Sequence, residues 1–302
     1  MPGARAAYLA YRAGAETARR LPTSLGRPLA RVASRGMVRA WDEKREQVRR
    51  HLVRASHGAL SGDALDRATR QQFANYARYW YEMFRLQPSD RAALDETFKP
   101  AGRSHLDAAV AQHQGVILAL PHLGNWDLAG AWLSNQVPHV TVVAEPVEPP
   151  ELFEWFVDTR RALGMEVIAL GPGAGPALLR ALRADHVVCL VCDRDIAGDG
   201  VEVEFFGERT RLPGGPATLA LRTGAPLLPA GAYFEGETGH GATIEPPIDV
   251  ERRGRLRDDV TRVTQDLAHR FEELISAAPE QWLLMQPNWP SDVTAAWARS
   301  SR

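Results

Sequence analysis

Residues 115–127 read GVILALPHLGNWD and combine a buried strand, a tight turn and the start of a helix. The run 115–120 is apolar without alternation, which is typical of a strand covered on both faces in a parallel sheet. Gly124 permits a tight turn, and Asn125 is a favoured cap for the helix that follows. The stretch therefore predicts a strand–turn–helix unit with His122 at the carboxyl end of the strand.

Strands and helices alternate on both sides of this unit. Strands are predicted at 115–120, 139–144, 166–169, 187–192, 201–206, 226–233 and 241–245. Helices are predicted at 65–87, 104–113, 126–134, 150–163, 175–184, 214–223 and 255–276. This alternation predicts an α/β fold with a largely parallel or mixed sheet flanked by helices. Because the chain has no repeat and no low-complexity linker, we predict one domain, with residues 1–60 as a helical extension of the α/β part at 61–302.

The amino-terminal segment is strongly basic. Residues 1–55 hold thirteen Lys and Arg but four Asp and Glu, although the whole chain has a net charge of −1. The segment is amphipathic and helical, with breaks at Pro22 and Pro28. Its helices either pack on the main body with a solvated basic face or lie on anionic lipid, and both interpretations can hold together. Few aromatic residues interleave the arginines, so nucleic acid is not the expected partner.

The expected location follows from what the sequence does not contain. No apolar stretch approaches the ~20 residues that a spanning helix requires. The arginine-rich start lacks the apolar block of a signal peptide. We therefore predict a peripheral protein on the cytoplasmic side of the membrane.

Cys189 and Cys192 lack a second pair for a zinc site and lie three apart in a strand, which predicts buried, reduced thiols.

His122 is the candidate catalytic group, because open α/β sheets bind ligands at the carboxyl ends of their strands. On one continuous helix, residues five apart are rotated by about 140° and cannot meet. A turn at Gly124 would instead let Asp127 reach the imidazole. A carboxylate on one ring nitrogen fixes the tautomer and makes the other nitrogen a competent base. The spacing alone is common, and a capping histidine is the alternative.

A second polar cluster follows the strand 187–192, on the same expected edge of the sheet. Asp193 is a further possible partner for His122, and Arg194 could contact a phosphate. The alternative for this cluster, which includes Asp195, is a surface loop with an internal Asp–Arg pair. Glu204 is a weaker candidate for the second acid.

Arg209 and Arg211 precede the turn 213–215 and a predicted helix, an arrangement that suits an anion. It is not a P-loop, and no G-x-G-x-x-G follows a strand. There is also no G-x-S-x-G, which argues against a serine hydrolase.

Together these motifs resemble the bacterial lipid A lauroyl/myristoyl acyltransferase superfamily, and within it the branch that acylates phosphatidylinositol mannosides. The resemblance extends over about residues 70–235. It rests on Pro121-His122 with Asp127, Gly-Asn-Trp-Asp-x-Ala-Gly-Ala-Trp at 124–132, Val-Ala-Glu at 143–145, Arg160 with Leu163-Gly164, Asp193-Arg194-Asp195, Gly200-Val201-Glu202-Val203, Phe205-Phe206-Gly207 and 219–226.

The resemblance implies a glycerolipid-acyltransferase-like domain in a peripheral membrane enzyme. Such enzymes move a palmitoyl-type chain from acyl-CoA, a co-substrate rather than a bound cofactor, to a mannose hydroxyl of phosphatidylinositol mannoside. His122 is implied to be the general base, assisted by an acidic residue after the later strand, which Asp193 matches; whether Asp127 or Asp193 does most for the histidine stays open. Glu145 and Arg160 fall where the family binds the acceptor headgroup. The other expected substrate contacts are Asn125, Trp126, Arg194, Asp195 and Arg211.

Three other functions compete with this one. A lipid A-type glycolipid could be the acceptor. A metal-dependent hydrolase could use His122 with Asp127, Asp193 and Asp195, but one histidine at this edge makes a poor zinc site, and no metal is expected. A non-enzymatic lipid-binding protein could act through the basic segment alone.

Overall fold

A computed structural model describes residues 2–293 of the chain. Its helices are α1 Pro2–Arg20, α2 Thr23–Ala40, α3 Asp42–Ala55, α4 Gly62–Arg85, α5 Arg91–Thr97, α6 Arg103–Val110, α7 Trp126–Gln136, α8 Pro150–Ala162, α9 Ala174–Arg183, α10 Gly215–Thr223 and α11 Leu256–Ser276. Its strands are β1 Phe98–Ala101, β2 Val116–Leu120, β3 Val140–Ala144, β4 Met165–Ala169, β5 Val187–Val191, β6 Val201–Phe205, β7 Glu208–Leu212, β8 Leu227–Glu235 and β9 Gly239–Ile244. The end of the predicted domain, 294–302, lies outside this range.

Seven strands form the central sheet in the order β1-β9-β8-β2-β5-β3-β4. Neighbours are parallel except for the antiparallel pair β8–β9. Alternate residues of β2 enter two separate cores: Ile117 and Ala119 pack with α9, α10 and α11, whereas Leu118 and Leu120 pack with α6 and α7. The predicted α/β fold, with a mostly parallel sheet covered on both faces, is confirmed.

Two details of the strand arrangement were not predicted. The strand predicted at 201–206 exists as β6, but it pairs only with β7 in a hairpin outside the central sheet. The edge strand β1 and the strand β7 were not predicted. Both are short and carry charged residues, so neither has the continuous apolar run that marks a strand buried on two faces.

The register of the central strands decides which loops meet. β2 and β5 are parallel neighbours, with Val116 opposite Val187 and Leu120 opposite Val191. The residues two positions beyond each strand, His122 and Asp193, are therefore brought side by side at the carboxyl edge of the sheet.

The basic amino-terminal helices pack on α4. Gly26 of α2 lies so close to Tyr81 that an added Cβ would stand 2.5 Å from its ring. The Arg85 guanidinium donates to the carbonyl oxygen of Leu21 at the end of α1. Within the described residues, no helix is both long enough and apolar enough to span a bilayer. Packing on the body is thus observed, and it leaves the outer face of α2 free.

Candidate active site

His122 and Asp193 form a hydrogen-bonded pair at the carboxyl edge of the sheet. His122 Nδ1 lies 2.5 Å from Asp193 Oδ1. Because a carboxylate can only accept, the proton of this bond belongs to Nδ1, and Nε2 keeps a free lone pair. The Asp193 side chain is fully buried, whereas the His122 side chain is 27% exposed. A base with a fixed tautomer therefore faces the solvent-accessible side of the site.

The other oxygen of Asp193 is held just as firmly. Oδ2 accepts the backbone N–H of His122 at 2.9 Å and the indole N–H of Trp282 at 2.7 Å. Burial alone would raise the pKa of the Asp193 carboxyl, but the charge of His122 and these hydrogen bonds hold it below its usual value. The carboxylate thus stays ionised where it can stabilise an imidazolium.

A segment near the carboxyl terminus fixes the loop that carries His122. Leu283 donates its N–H to the carbonyl of His122 at 2.7 Å, and Gly124 donates to the carbonyl of Gln281 at 2.9 Å. Gly124 has φ +59°, and a Cβ there would lie 2.4 Å from the carbonyl oxygen of Ala232. Only glycine fits this turn, so its predicted role in turning the chain agrees with the structure.

Asp127 does not contact the imidazole, and the expectation that it would swing back to His122 is wrong. Its carboxylate instead accepts Arg160 Nε at 2.7 Å and Arg160 Nη2 at 3.0 Å. The Tyr79 hydroxyl donates to Oδ2 at 2.7 Å. Burial, reinforced by the Asp127 charge, raises the pKa of Tyr79 well above its usual value, so the phenol remains a donor. The physical reason is that α7 starts at Trp126 and carries Asp127 away from the imidazole.

This pairing also changes the expected role of Arg160. A guanidinium that forms a two-pronged bond to a carboxylate has few donors left for a lipid phosphate. Its side chain is only 16% exposed, and that of Asp127 is 4% exposed. In the structure, therefore, Arg160 ties α8 to the first turn of α7.

We expect Arg160→Met to lower the free energy of unfolding by about 3–5 kcal/mol, because it leaves the buried Asp127 carboxylate without its partner. Denaturant unfolding measures this change. Arg161→Met is the matched control: Arg161 is 61% exposed and its pair with Asp158 is 3.7 Å long, so the change should be close to zero. Equal losses in the two variants would contradict a stabilising role for Arg160. Asp127→Asn/Arg160→Met should recover much of the loss, since no unpaired charge remains buried.

Trp126 connects this ion pair to the base. Its ring stacks on Tyr79 with centroids 4.4 Å apart, and it meets the His122 ring edge-on at 5.3 Å. The order Asp127–Tyr79–Trp126–His122 is thus a continuous line of contacts. Trp126, an expected substrate contact, therefore packs against the imidazole.

Asn125 is a helix cap, as predicted, and its side chain is engaged in contacts within the protein. Its side-chain oxygen accepts the N–H of Leu128 at 3.1 Å, and its amide donates to Glu82 Oε2 at 3.0 Å. The residue is 2% exposed, so its side chain is enclosed by protein and does not face the solvent side of the site. Glu82 in turn bonds His240 Nε2 at 2.8 Å, which anchors the cap to β9.

The remaining expected contacts lie around the same edge. Glu145 directly follows β3 and is exposed. Arg194 is half-buried beside Asp193, and no hydrogen bond or ion pair joins its guanidinium to another residue of 2–293. The alternative of an internal Asp–Arg pair is therefore not observed. Arg194 and Glu145 are a cation and an anion available to a ligand.

Asp195 and Arg211 line a surface cleft. The Asp195 carboxylate accepts the N–H groups of Gly198 and Gly200, each at 2.9 Å, and so closes its own loop. Arg211 is exposed on β7 and lines a surface cleft with Asp195 and Asn288. Glu204 is exposed on β6 and is not a partner of His122, because Asp193 occupies that place.

An apolar cavity lies beneath α7, between the helix and the sheet. Trp126, Asp127 and Arg160 are at its polar side. Its apolar lining comprises Leu118, Leu120, Ala129, Gly130, Trp132, Leu133, Val142, Val143, Met165, Cys189, Val191, Ala230, Gly231, Ala232, Ala242 and Ile244. It extends along about two turns of the helix. Because Trp126 lines the cavity and touches His122, the cavity and the base are neighbours.

The two cysteines are free, as predicted. Cys192 is buried, and Cys189 lies on the wall of the apolar cavity. Burial raises the pKa of Cys189 to about 12, and burial raises that of Cys192 as well. Both remain protonated at neutral pH, so neither is a nucleophile.

The roles of Tyr79, Trp282 and Asn288 in the site were not predicted from the sequence. Asn288 donates to the backbone carbonyl of Asp193 at 2.9 Å. Trp282 and Asn288 come about ninety residues after the carboxylate that they hold, and no local pattern connects them. Tyr79 was one of many aromatic residues on the predicted helix 65–87, and nothing in the spacing separated it from the others.

Comparison with known proteins gives consistent matches over nearly the whole chain. The model of the bacterial lipid A biosynthesis acyltransferase family matches residues 5–291. A phosphatidylinositol mannoside acyltransferase of Mycolicibacterium smegmatis is 39% identical over 295 residues, which cover 97% of this chain and 94% of the relative. One of Mycobacterium tuberculosis is 40% identical over 290 residues, covering 94% and 89%. A lipid A biosynthesis acyltransferase of Haemophilus influenzae is 25% identical over 219 residues, covering 71% and 66%.

Proposed function

Since the chain belongs to the bacterial lipid A biosynthesis acyltransferase family, we propose that it transfers a palmitoyl-type acyl chain from acyl-CoA to a mannose hydroxyl of a phosphatidylinositol mannoside. The observation that carries this proposal is the His122–Asp193 pair beside an apolar cavity. A base alone suits many reactions. A base next to an apolar cavity suits a reaction whose acyl chain is buried while its carbonyl reaches the imidazole.

The proposed step needs no covalent enzyme intermediate. Nε2 of His122 takes the proton of the mannose hydroxyl, whose oxygen attacks the thioester carbonyl. The C–S bond then breaks, CoA leaves as a thiolate, and the imidazolium returns the proton to it. The products are the acyl ester and CoA-SH, and His122 is neutral again. Asp193 stabilises the imidazolium while it exists.

The first turn of α7 offers donors for the developing oxyanion. The N–H groups of Leu123 and Gly124 are already bonded, to the carbonyls of Pro121 and Gln281. The first N–H groups of a helix lack intrahelical acceptors, and they carry the positive end of its dipole. We therefore place the oxyanion near the N–H groups of Trp126 and Asp127, at the first turn of α7.

The cavity under α7 is the proposed site of the acyl chain. Gly130 and Met165 both line it, and a Cβ added to Gly130 would lie 2.7 Å from the Met165 sulfur. Gly130→Ala should push Met165 into the cavity. We expect the ratio of kcat/KM for palmitoyl-CoA to kcat/KM for octanoyl-CoA to fall. The expected decrease is about fourfold for each methylene that no longer fits in the cavity, because burying one methylene contributes ~0.8 kcal/mol.

Gly175→Ala is the control for this experiment. Gly175 is also in a helix, α9, but nothing lies within 4 Å of its added Cβ. The ratio between the two acyl-CoA substrates should stay at its wild-type value there. A ratio that is equally unchanged in Gly130→Ala would exclude this cavity as the acyl site.

The outer face of α2 supports association with a membrane surface. Leu25, Leu29 and Val32 are 60%, 53% and 56% exposed and lie at helical spacing on one face. Arg31 and Arg35 are exposed on the same helix. An apolar stripe with flanking arginines is the pattern of an interfacial helix on anionic lipid. We place the protein peripherally on the cytoplasmic face of the plasma membrane.

Leu25→Glu/Leu29→Glu should weaken binding to vesicles of anionic phospholipid by more than about tenfold, because each leucine buried in lipid contributes roughly 1.5–3 kcal/mol. Vesicle sedimentation measures this. Val53→Glu is the control, since Val53 is 36% exposed but lies on α3, away from the stripe. Unchanged binding of the double variant would contradict docking through α2.

Incubation of the purified protein with labelled palmitoyl-CoA and a panel of glycolipids tests the proposal as a whole. The panel holds phosphatidylinositol mannosides and a lipid A precursor. We expect label in a mannose ester, located by mass spectrometry of the product. Transfer to the lipid A precursor alone would overturn the acceptor, and release of free palmitate without any ester would overturn transfer.

A further inference from the structure

Three metal-binding side chains meet at the amino edge of the sheet, opposite the edge that carries His122. His139 directly precedes β3, His186 directly precedes β5, and Glu166 is the second residue of β4. None of them has a part in the acyl-transfer step. They belong to three neighbouring strands, because the sheet order is β5-β3-β4 at this point.

The strand register brings these side chains to one face. Val140 is opposite both Val187 and Met165, so that His139 and His186 are adjacent. Thr141 is opposite Glu166. Side chains two apart on a strand share a face, which places Glu166 on the same side as the two imidazoles. The juxtaposition thus follows from backbone pairing and not from the rotamer of one exposed side chain.

The distances are close to those of a metal site. The two imidazole rings are stacked, with centroids 4.7 Å apart and planes inclined by 13°. Glu166 Oε1 lies 3.9 Å from His139 Nδ1 and 4.0 Å from His186 Nδ1. One ligand atom from each residue lies within 4.8 Å of the others. Bonds of about 2.0–2.2 Å to a tetrahedral zinc ion place ligand atoms roughly 3.3–3.5 Å apart. A closure of about 1 Å is needed, together with a rotation of the His139 ring, because the lone pairs of two nearly parallel rings do not point at one ion.

Side-chain rotation can supply this closure. The side chains of His139 and Glu166 are 55% and 62% exposed, and nothing encloses them. His186 is the fixed member: its side chain is 13% exposed, and its Nδ1 lies 2.8 Å from the Thr141 hydroxyl. Because the 4.0 Å approach to Glu166 is made by this same Nδ1, a metal ion bound there replaces the Thr141 hydrogen bond.

We propose that His139, Glu166 and His186 bind one divalent transition-metal ion, such as Zn²⁺ or Ni²⁺, with the remaining coordination positions open to water. Two imidazoles and one carboxylate suit these ions and do not suit Mg²⁺ or Ca²⁺, which prefer oxygen ligands. The bound ion joins the amino ends of β3, β4 and β5. It therefore stabilises this edge of the sheet without entering the active site.

Titration of the full-length, tag-free protein with ZnCl₂ in a calorimeter tests the proposal. We expect saturable binding of one ion per chain and no heat with MgCl₂. His139→Ala and Glu166→Gln change exposed side chains, and each should weaken the zinc affinity by at least about tenfold. His269→Ala removes an exposed histidine on α11 and should leave the affinity unchanged.

Thermal unfolding gives a second readout that does not depend on heat of binding. Zinc should raise the Tm of the wild-type protein and of His269→Ala, and it should raise that of His139→Ala much less. Circular dichroism in zinc-free buffer checks that the variants are folded. The proposal is overturned if the wild-type protein shows no saturable zinc binding, or if His139→Ala and Glu166→Gln bind zinc as the wild type does.

Discussion

His122→Asn is expected to lower kcat for acyl transfer by about 10²–10⁴-fold, the range that a positioned general base contributes. Asparagine is the informative substitute, because its amide nitrogen can take the position of the imidazole Nδ1. It can therefore keep the bond to Asp193, which is 2.5 Å long in the wild type. What it loses is Nε2, the atom proposed to accept the hydroxyl proton. Initial rates at saturating acyl-CoA measure the effect.

The variants His122→Ala and His122→Asn are also expected to differ in their free energy of unfolding. His122→Ala removes the hydrogen bond and the charge that lower the pKa of Asp193, so the buried carboxyl returns toward a higher pKa. In the wild type, the lowered pKa contributes stability that is present above the pKa of the unfolded chain. It is lost as the pH falls through the folded pKa. His122→Ala should thus be less stable than His122→Asn at neutral pH, with a smaller difference in acid.

His113→Asn is the matched control for the first result. His113 also bonds a carboxylate, Asp185, at 2.8 Å, but its side chain is 78% exposed and lies at the other edge of the sheet. It should transfer acyl groups at the wild-type rate. If His122→Asn were as active as this control, His122 could not be the base.

Those strands that are buried on both faces could be predicted from local sequence. The runs that became β2 and β5 are continuous and apolar because helices cover both sides of the sheet. The edge strand β1 and the hairpin strand β7 lack this constraint. Their residues face solvent in part and alternate with charges, so their sequences resemble loops. Strand pairing, which places β6 outside the central sheet, is a long-range property that no window of residues contains.

The candidate site shows the same division between residues that local sequence predicts and contacts that depend on the three-dimensional fold. His122 and Asp193 each follow an apolar run of the sequence, and the parallel register of β2 and β5 brings them together. Asp127 is nearer in sequence to His122, yet it pairs with Arg160 thirty-three residues further along. Sequence proximity favoured Asp127 as the partner of His122, but the sheet topology brings Asp193 to the imidazole instead. Trp282 donates to the Asp193 carboxylate from a distant part of the chain, and no local sequence pattern predicts this contact.

Asp193→Asn is expected to lower kcat by about 10³–10⁴-fold without a loss of fold, because it reverses the tautomer of His122. Two N–H groups, from the His122 backbone and from Trp282, point at Oδ2. They require the amide oxygen of the asparagine at that position, which turns the amide nitrogen toward His122 Nδ1. An N–H donor there forces Nδ1 to accept, so the proton moves to Nε2 and the base has no lone pair for the hydroxyl. A comparable loss follows when the aspartate of a Ser-His-Asp triad becomes asparagine.

Two measurements separate this mechanism from simple damage to the site. The ¹⁵N shifts of the His122 ring should show the proton on Nε2 in Asp193→Asn and on Nδ1 in the wild type. KM for acyl-CoA should change much less than kcat, since the apolar cavity under α7 is unaltered. Asp199→Asn, an exposed change in the following loop, should leave both the ring shifts and kcat as they are. A wild-type kcat in Asp193→Asn would show that the buried carboxylate is not what keeps His122 a base, because the substitution preserves every neighbour and removes only the acceptor that holds the proton on Nδ1.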